Sequence, residues 1–170
     1  MIQKKICMVG AFGVGKTSLV TRFVKSIYSE TYFTTVGVKV EKKALTIDGE
    51  DVTLMLWDLA GKDAVTEVKP MQLRGASGYI LVVDGCRAST LETAIGLQSL
   101  AEAELGNVPF TCVVNKADLR ESWQVDAAAL ERLSGLGWTL LLTSAKTGEG
   151  VEALFEGLAV RMLEEKDDRG

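Results

Sequence analysis

The amino-acid sequence predicts an α/β fold, a doubly wound and mostly parallel sheet with one antiparallel edge strand. Three observations carry that expectation. Apolar runs recur at 6–9, 52–57, 79–83, 110–114 and 138–142. They are continuous rather than alternating, as in strands covered on both faces. Stretches with helical spacing separate them, and a glycine-rich loop, Gly10-Ala11-Phe12-Gly13-Val14-Gly15-Lys16-Thr17, joins the first run to the first such stretch.

Each element follows from its local pattern. Ile6-Cys7-Met8-Val9 is the first strand, and Ser18-Leu19-Val20 begins the amphipathic stretch after the loop. Val36, Val38 and Val40 alternate with Gly37 and Lys39, the period of a half-exposed edge strand. Asp48-Gly49 is a hairpin signal that should turn this strand back into 52–57. Ser89-Thr90-Leu91-Glu92 reads as a capping box, opening a helix that presents Leu91, Ala94, Ile95, Gln98, Ala101 and Leu105. Ser122 is placed to cap another, with Val125, Ala129 and Leu133 on one face. Val151, Leu154, Phe155, Leu158 and Met162 form a helical stripe that reads as core. No internal repeat or low-complexity linker interrupts the chain, so residues 1–170 are expected to form one domain.

Composition narrows the chemistry. With 170 residues, 47% hydrophobic and 25% charged, the chain can bury a core without metal or disulfide staples. A formal charge of -4 gives no electrostatic case for nucleic acid or an acidic membrane. Histidine is absent, which removes the commonest general base and leaves oxygen ligands for a hard cation such as Mg²⁺. Cys7, Cys86 and Cys112 are widely spaced, without a C-x-x-C pair, so free thiols and a cytoplasmic setting are expected. The N-terminus lacks a signal-peptide pattern, and no apolar run approaches the ~20 residues of a membrane span. Residues 164–170 hold no cysteine, so no lipid anchor is expected in this chain.

The glycine-rich loop matches G-x-x-x-x-G-K-[ST] at every fixed position. Such backbone folds tightly enough to aim several N–H groups at phosphate oxygens, and the following helix points its positive end at the same anion. Phe12, Gly13, Val14, Gly15, Lys16, Thr17 and Ser18 are the candidate phosphate contacts. Lys16 is expected to reach the terminal phosphates, and the Thr17 hydroxyl to ligate Mg²⁺. An ordinary glycine turn is the alternative, although glycine at roughly 7% of average composition makes a chance match to all the fixed positions rare.

Ligands of doubly wound folds bind beyond the carboxyl ends of the strands. The loop, Asp58, Asn115 and Ser144 each follow a predicted strand and should converge on one rim. In Asn115-Lys116-Ala117-Asp118, a carboxylate in the base plane can accept from the ring N–H and exocyclic amine of guanine. Adenine would leave Asp118 unpaired, at a cost on the order of 1–3 kcal/mol or more for a charged group. Lys116 can lay its stem along the base, and the Ser144-Ala145-Lys146 backbone can donate to the guanine carbonyl. Asp58, in Trp57-Asp58-Leu59-Ala60-Gly61, is placed to hold Mg²⁺ through a water. The Gly61 N–H can meet a γ-phosphate oxygen, and Thr35 can close the Mg²⁺ shell. Two tethers of that kind would make a switch ordered by GTP and released in GDP. Strand-forming β-branched residues are the alternative reading of Thr34 and Thr35. An ATP-using enzyme is the competing reading of the whole site, and Asp118 discriminates against it.

With these motifs in order, the chain resembles a Ras-superfamily small GTPase over essentially its full length. The segments Tyr28-Ser29-Glu30-Thr31-Tyr32-Phe33-Thr34-Thr35-Val36-Gly37-Val38 and Leu73-Arg74-Gly75-Ala76 make it most similar to the Rab branch. The resemblance implies a six-stranded small G domain of the phosphate-loop NTPase class and a GDP/GTP cycle. It also implies an effector, an exchange factor and an activating protein that read segments near 28–40 and 58–76. By position it carries the family's roles onto Lys16, Thr17, Thr35, Asp58, Gly61, Asn115, Lys116, Asp118, Ser144, Ala145 and Lys146, and matches Tyr28 to the aromatic beside the guanine.

Departures from that pattern bear on catalysis. Lys62 stands where the family places the glutamine that orients the attacking water. An ammonium donates but cannot accept a hydrogen bond, so Lys62 either neutralises γ-phosphate charge or is a solvated lysine near Asp63 or Glu67. Phe12 replaces a small residue, and its ring either crowds an arginine supplied in trans or packs on the second switch segment. Such arginines are worth ~10³–10⁵ in rate, so a blocked one would leave a slow switch; the candidate catalytic residues are Lys16, Thr35, Gly61 and Lys62. Without a lipidated tail, membrane traffic of the usual Rab kind is not expected.

Overall fold

The computed structural model describes residues 2–25, 38–59 and 68–169, with side chains up to residue 164. In chain order the elements are β1 (Ile2–Gly10), α1 (Lys16–Lys25), β2 (Lys39–Ile47), β3 (Glu50–Asp58), α2 (Pro70–Leu73), β4 (Gly78–Asp84), α3 (Ser89–Leu105), β5 (Phe110–Asn115), α4 (Ala127–Gly135), β6 (Leu140–Leu142) and α5 (Val151–Arg169). A short 3₁₀ turn covers Ala117–Ser122. The strands form one six-stranded sheet in the order β2-β3-β1-β4-β5-β6. Only the β2–β3 pair is antiparallel, so the doubly wound sheet with an antiparallel edge is as expected.

The continuous apolar runs have the expected cause. Along β1, Ile6 and Met8 join a core with α1 and α5, while Cys7 and Val9 join a second core with α3 and α4. A central strand such as β1 therefore needs apolar side chains on both faces. Phe23 of α1 stacks on Phe155 of α5 at 4.3 Å between ring centroids, and Val151, Leu154, Phe155, Leu158 and Met162 are all buried. The hairpin turn is Asp48-Gly49, both with positive φ (49° and 82°), which suits the twist of the flanking strands.

Four local expectations need correction. The edge strand runs Lys39–Ile47 and its half-buried set is the odd-numbered one, with Lys43 over the Phe23 ring. Val40 consequently turns outward and is 38% exposed; Val36 and Gly37 lie outside the described residues. Ser89 does not cap α3. Ala88 precedes the helix in an αR conformation without a side-chain cap, and its N–H is met by the Gln124 side chain at 3.0 Å. Asp126, not Ser122, caps α4 by accepting from Ala129 N at 2.9 Å, because the 3₁₀ turn absorbs Ser122. Trp138 precedes β6 and packs edge-on against Phe110 at 5.5 Å, so its apolar character serves the face of the sheet and not a strand.

Candidate functional site

Four strand ends meet at one rim. Gly10 closes β1, Asp58 closes β3, Asp84 closes β4 and Asn115 closes β5, while Ser144 follows β6. The Gly10–Thr17 loop crosses above them because glycine allows it to. Gly13 and Gly15 have φ of 77° and 106°, and a Cβ on Gly15 would overlap the Asn115 side-chain amide. That amide donates to the Val14 carbonyl at 2.9 Å, so the loop rests directly on the end of β5.

The phosphate side is built around charge. Lys16 is 3% exposed and donates to the Gly10 and Ala11 carbonyls at 2.6 and 2.8 Å. Burial pushes its ammonium down to about 8; Asp58 resists that shift and Arg87 adds to it. Thr17 Oγ1 donates to Asp58 Oδ2. Asp58 is 1% exposed, and burial pushes its carboxyl up despite Thr17, Lys16 and Lys39. Its other oxygen, Oδ1, is buried without a hydrogen-bond partner among the described residues. A buried carboxylate oxygen without a donor is costly, and a divalent cation is the partner that a hydroxyl–carboxylate pair suits. These residues fit Mg²⁺.

The base side is a hydrogen-bond network. Asn115 Oδ1 accepts from Thr143 Oγ1 at 3.1 Å, and Asp118 Oδ1 accepts from Ser144 Oγ at 2.7 Å. Lys116 adopts a left-handed backbone, φ 72° and ψ 39°, and its carbonyl is held by Trp123 Nε1 at 2.8 Å. Its ammonium pairs with Asp84 Oδ2 at 2.8 Å. A cavity of about 190 Å³ opens between the two sides, lined by Gly15, Ser18, Asn115, Lys116, Asp118 and Ala145 among others. Leu119, 47% exposed, and Lys146 stand at its edge.

A family model for the Ras family matches residues 5–164. The chain belongs to the Ras family. It is a small GTP-binding switch protein of that family, and Ras proteins bind GTP and GDP, typically with Mg²⁺, and act through effectors, exchange factors and activating proteins. The sheet and its helices are those of a small G domain.

Of the candidate residues in this Ras-family chain, those of the 12–18 loop, Asp58, Asn115, Lys116, Asp118, Ser144, Ala145 and Lys146 are brought together at the rim. Tyr28, Thr35, Gly61 and Lys62 lie outside the described residues, as do much of the 28–40 and 58–76 segments. Phe12 is 49% exposed. No described helix is long and apolar enough to cross a membrane.

Residues not singled out from the sequence also hold the site. Asp84, 1% exposed, takes Lys116, Arg87 and the Cys86 N–H on its two oxygens. Burial alone would raise its carboxyl, but those three donors hold it below the usual carboxylate range. Arg22 of α1 donates to the Lys146 and Thr147 carbonyls at 3.3 and 3.1 Å. The signal for Asp84 was its position: it ends an otherwise apolar strand, as Asp58 and Asn115 do. Nothing local marks Arg22, whose partners are more than a hundred residues away.

Proposed function

We propose that this protein is a guanine-nucleotide switch that hydrolyses GTP slowly, built as one G domain over residues 1–170 and acting in the cytoplasm. The observation that carries this reading is the convergence of the Lys16–Thr17–Asp58 cluster and the Asn115–Asp118–Ser144 network on one rim, with a cavity between Gly15 and Ser18 on one side and that network on the other. Asp118 accepts from the ring N–H and amine of guanine, with Ser144 fixing the carboxylate in place. The Ala145 and Lys146 backbone meets the base carbonyl, Lys116 lies along the base, and Tyr28 packs beside it. The amides of 13–18 and the Lys16 ammonium surround the β- and γ-phosphates. There they stabilise the charge of the transferred phosphoryl without rearranging.

Thr17 and Asp58, joined by Thr35, would hold Mg²⁺, which would supply neutralisation of phosphate charge when bound. Gly61 donates its N–H to the γ-phosphate. Slow turnover follows from Lys62, which cannot orient water as a glutamine carbonyl does. The exposure of the Phe12 ring beside the phosphate loop supports its crowding an arginine offered in trans. A second reading follows from the same two residues: a binding module that signals by occupancy with negligible hydrolysis of its own. The Rab-like segments support partners that read 28–40 and 58–76.

Single-turnover GTP hydrolysis with Mg²⁺ tests the proposal. Phosphate release by the protein alone is expected, and Lys62→Gln with Phe12→Gly should raise it. GTP retained without release, in the presence of any activator offered, would favour the binding module. Comparable affinity for ATP and GTP would overturn the base assignment.

A further inference from the structure

A loop whose N–H groups point inward at phosphates turns its carbonyls outward, and those carbonyls need donors of their own. In this chain the Val14 carbonyl is taken by Asn115, while the Phe12 carbonyl is taken by Arg87 Nη2 at 2.7 Å. Arg87 lies between β4 and α3 and is itself fixed at several points. Its Nε donates to Asp84 Oδ2 at 3.1 Å. Its backbone carbonyl accepts from Thr90 Oγ1 at 2.7 Å, and that hydroxyl oxygen also accepts from Asp84 N at 2.9 Å. Thr90 and Asp84 are each 1% exposed, so the strap is anchored in the core. A Cβ on Gly13 would sit 3.4 Å from the Arg87 guanidinium, which places the cation against the back of the loop.

We infer that Arg87 is a positioning residue for the phosphate loop: its guanidinium, anchored on buried Asp84, holds the Phe12 carbonyl and so keeps the 12–15 amides aimed at the diphosphate. The planar fork of an arginine can meet a carboxylate and a carbonyl at once, which a lysine cannot do. Asp84 also holds Lys116 at 2.8 Å, so one buried carboxylate braces the base side and the phosphate side together. Arg22 is the counterpart on the guanine loop, through the Lys146 and Thr147 carbonyls. The inference rests on the guanine-nucleotide reading for its ligand, but not for the brace itself.

The test compares release of fluorescent GDP, and affinity for GDP against inosine diphosphate, in the wild-type protein, Arg87→Ala, Arg87→Lys and Arg22→Ala. Loss of one charge-assisted hydrogen bond of ~1.5 kcal/mol corresponds to about tenfold faster release in Arg87→Ala. Arg87→Lys should fall between Arg87→Ala and wild type. The GDP to inosine diphosphate ratio should stay unchanged in both Arg87 variants, because Asp118 and not the phosphate loop reads the amine that separates the two ligands. Arg22→Ala, which loosens the loop facing the carbonyl both bases share, should weaken both ligands alike. A second readout is amide exchange of residues 12–15 without nucleotide, which should quicken in Arg87→Ala. Wild-type release in Arg87→Ala, or a changed base ratio, overturns the inference. If the wild-type protein fails to hold GDP, the nucleotide reading falls. In that case amide exchange alone decides the brace, and unchanged exchange overturns it.

Discussion

On the base side of the rim, Asn115 accepts from Thr143, Asp118 accepts from Ser144, and Lys116 is paired with Asp84, all through contacts of 2.7–3.1 Å. Across the cavity the phosphate side is left incomplete by the protein itself. The Lys16 ammonium is buried among the loop's own carbonyls and pushed down to about 8. Asp58 carries a buried oxygen without a partner among the described residues. One side is preorganised by its own hydrogen bonds; the other holds opposite charges, Lys16 and Asp58, that a polyanion and a divalent cation would complete. On the proposed assignment, binding energy would be gained on the phosphate side, while the base side would contribute discrimination.

That contrast can be broken at either end, and Lys16 gives the largest effect. Lys16→Met should lower GTP hydrolysis by about 100-fold or more, since a lost transition-state donor costs about 10²–10³. The same variant without nucleotide should melt at or above the wild-type temperature, because it removes a desolvated charge. A fall in nucleotide-free Tm would mean that its hydrogen bonds to the Gly10 and Ala11 carbonyls outweigh the cost of burying the charge. Next in size is the base side. Asp118→Asn should cost about 10–100-fold in GDP affinity, from ~1–3 kcal/mol of lost pairing. Its Tm should change little, as Asn can still accept from Ser144. Titration calorimetry with GDP and xanthosine diphosphate reads this, and xanthine should recover affinity where guanine loses it.

A pH series sharpens the contrast further. Lys16 must be protonated to hold phosphate, and in the free protein it titrates near pH 8. GDP affinity should thus be flat below that pH and weaken as pH rises through about 8, by up to about tenfold per unit. Lys16→Arg, whose guanidinium stays charged, should remove the dependence, and a wild-type affinity flat across that range would contradict the assignment. The smallest effect is on stability. The Asp58 carboxyl is raised by burial, so the folded state favours its protonated form. Its ionisation costs stability, and that cost builds as pH rises from the ordinary carboxylate value and is complete above the raised one. Asp58→Asn keeps an acceptor for Thr17 and should raise the nucleotide-free Tm by about 2–4 °C at neutral pH, while abolishing any stabilisation by Mg²⁺ with GDP.

Legibility along the chain tracked how local the deciding force was. The fully buried strands were readable because burial on both faces demands an unbroken apolar run, as in Ile6-Cys7-Met8-Val9. The Asp48-Gly49 turn was readable because its positive φ values restrict the residue types. Helix starts were less so: Ser89 has the side chain of a cap, yet the backbone from Asp84 to Thr90 is fixed by Arg87 and Gln124, and no cap forms. Val40 was misread for a related reason. Alternation marks two faces but not which one a helix covers.

For the candidate site, the residue types and spacing of Gly10 to Thr17, Asp58, Asn115 to Asp118 and Ser144 to Lys146 are those that phosphate, cation and guanine chemistry would require. That chemistry acts through contiguous backbone, so the segments could be read locally. The chain alone therefore determined the fold class and the convergence of these segments on one rim. Tertiary structure alone decided how those segments are held against one another. Asp84 meets Lys116 across 32 positions and Arg22 meets Lys146 across 124, and no local pattern encodes such pairs. Arg87 reaches Phe12 across 75 positions for the same reason: a carbonyl turned outward by a tight loop takes whichever donor the sheet order brings beside it.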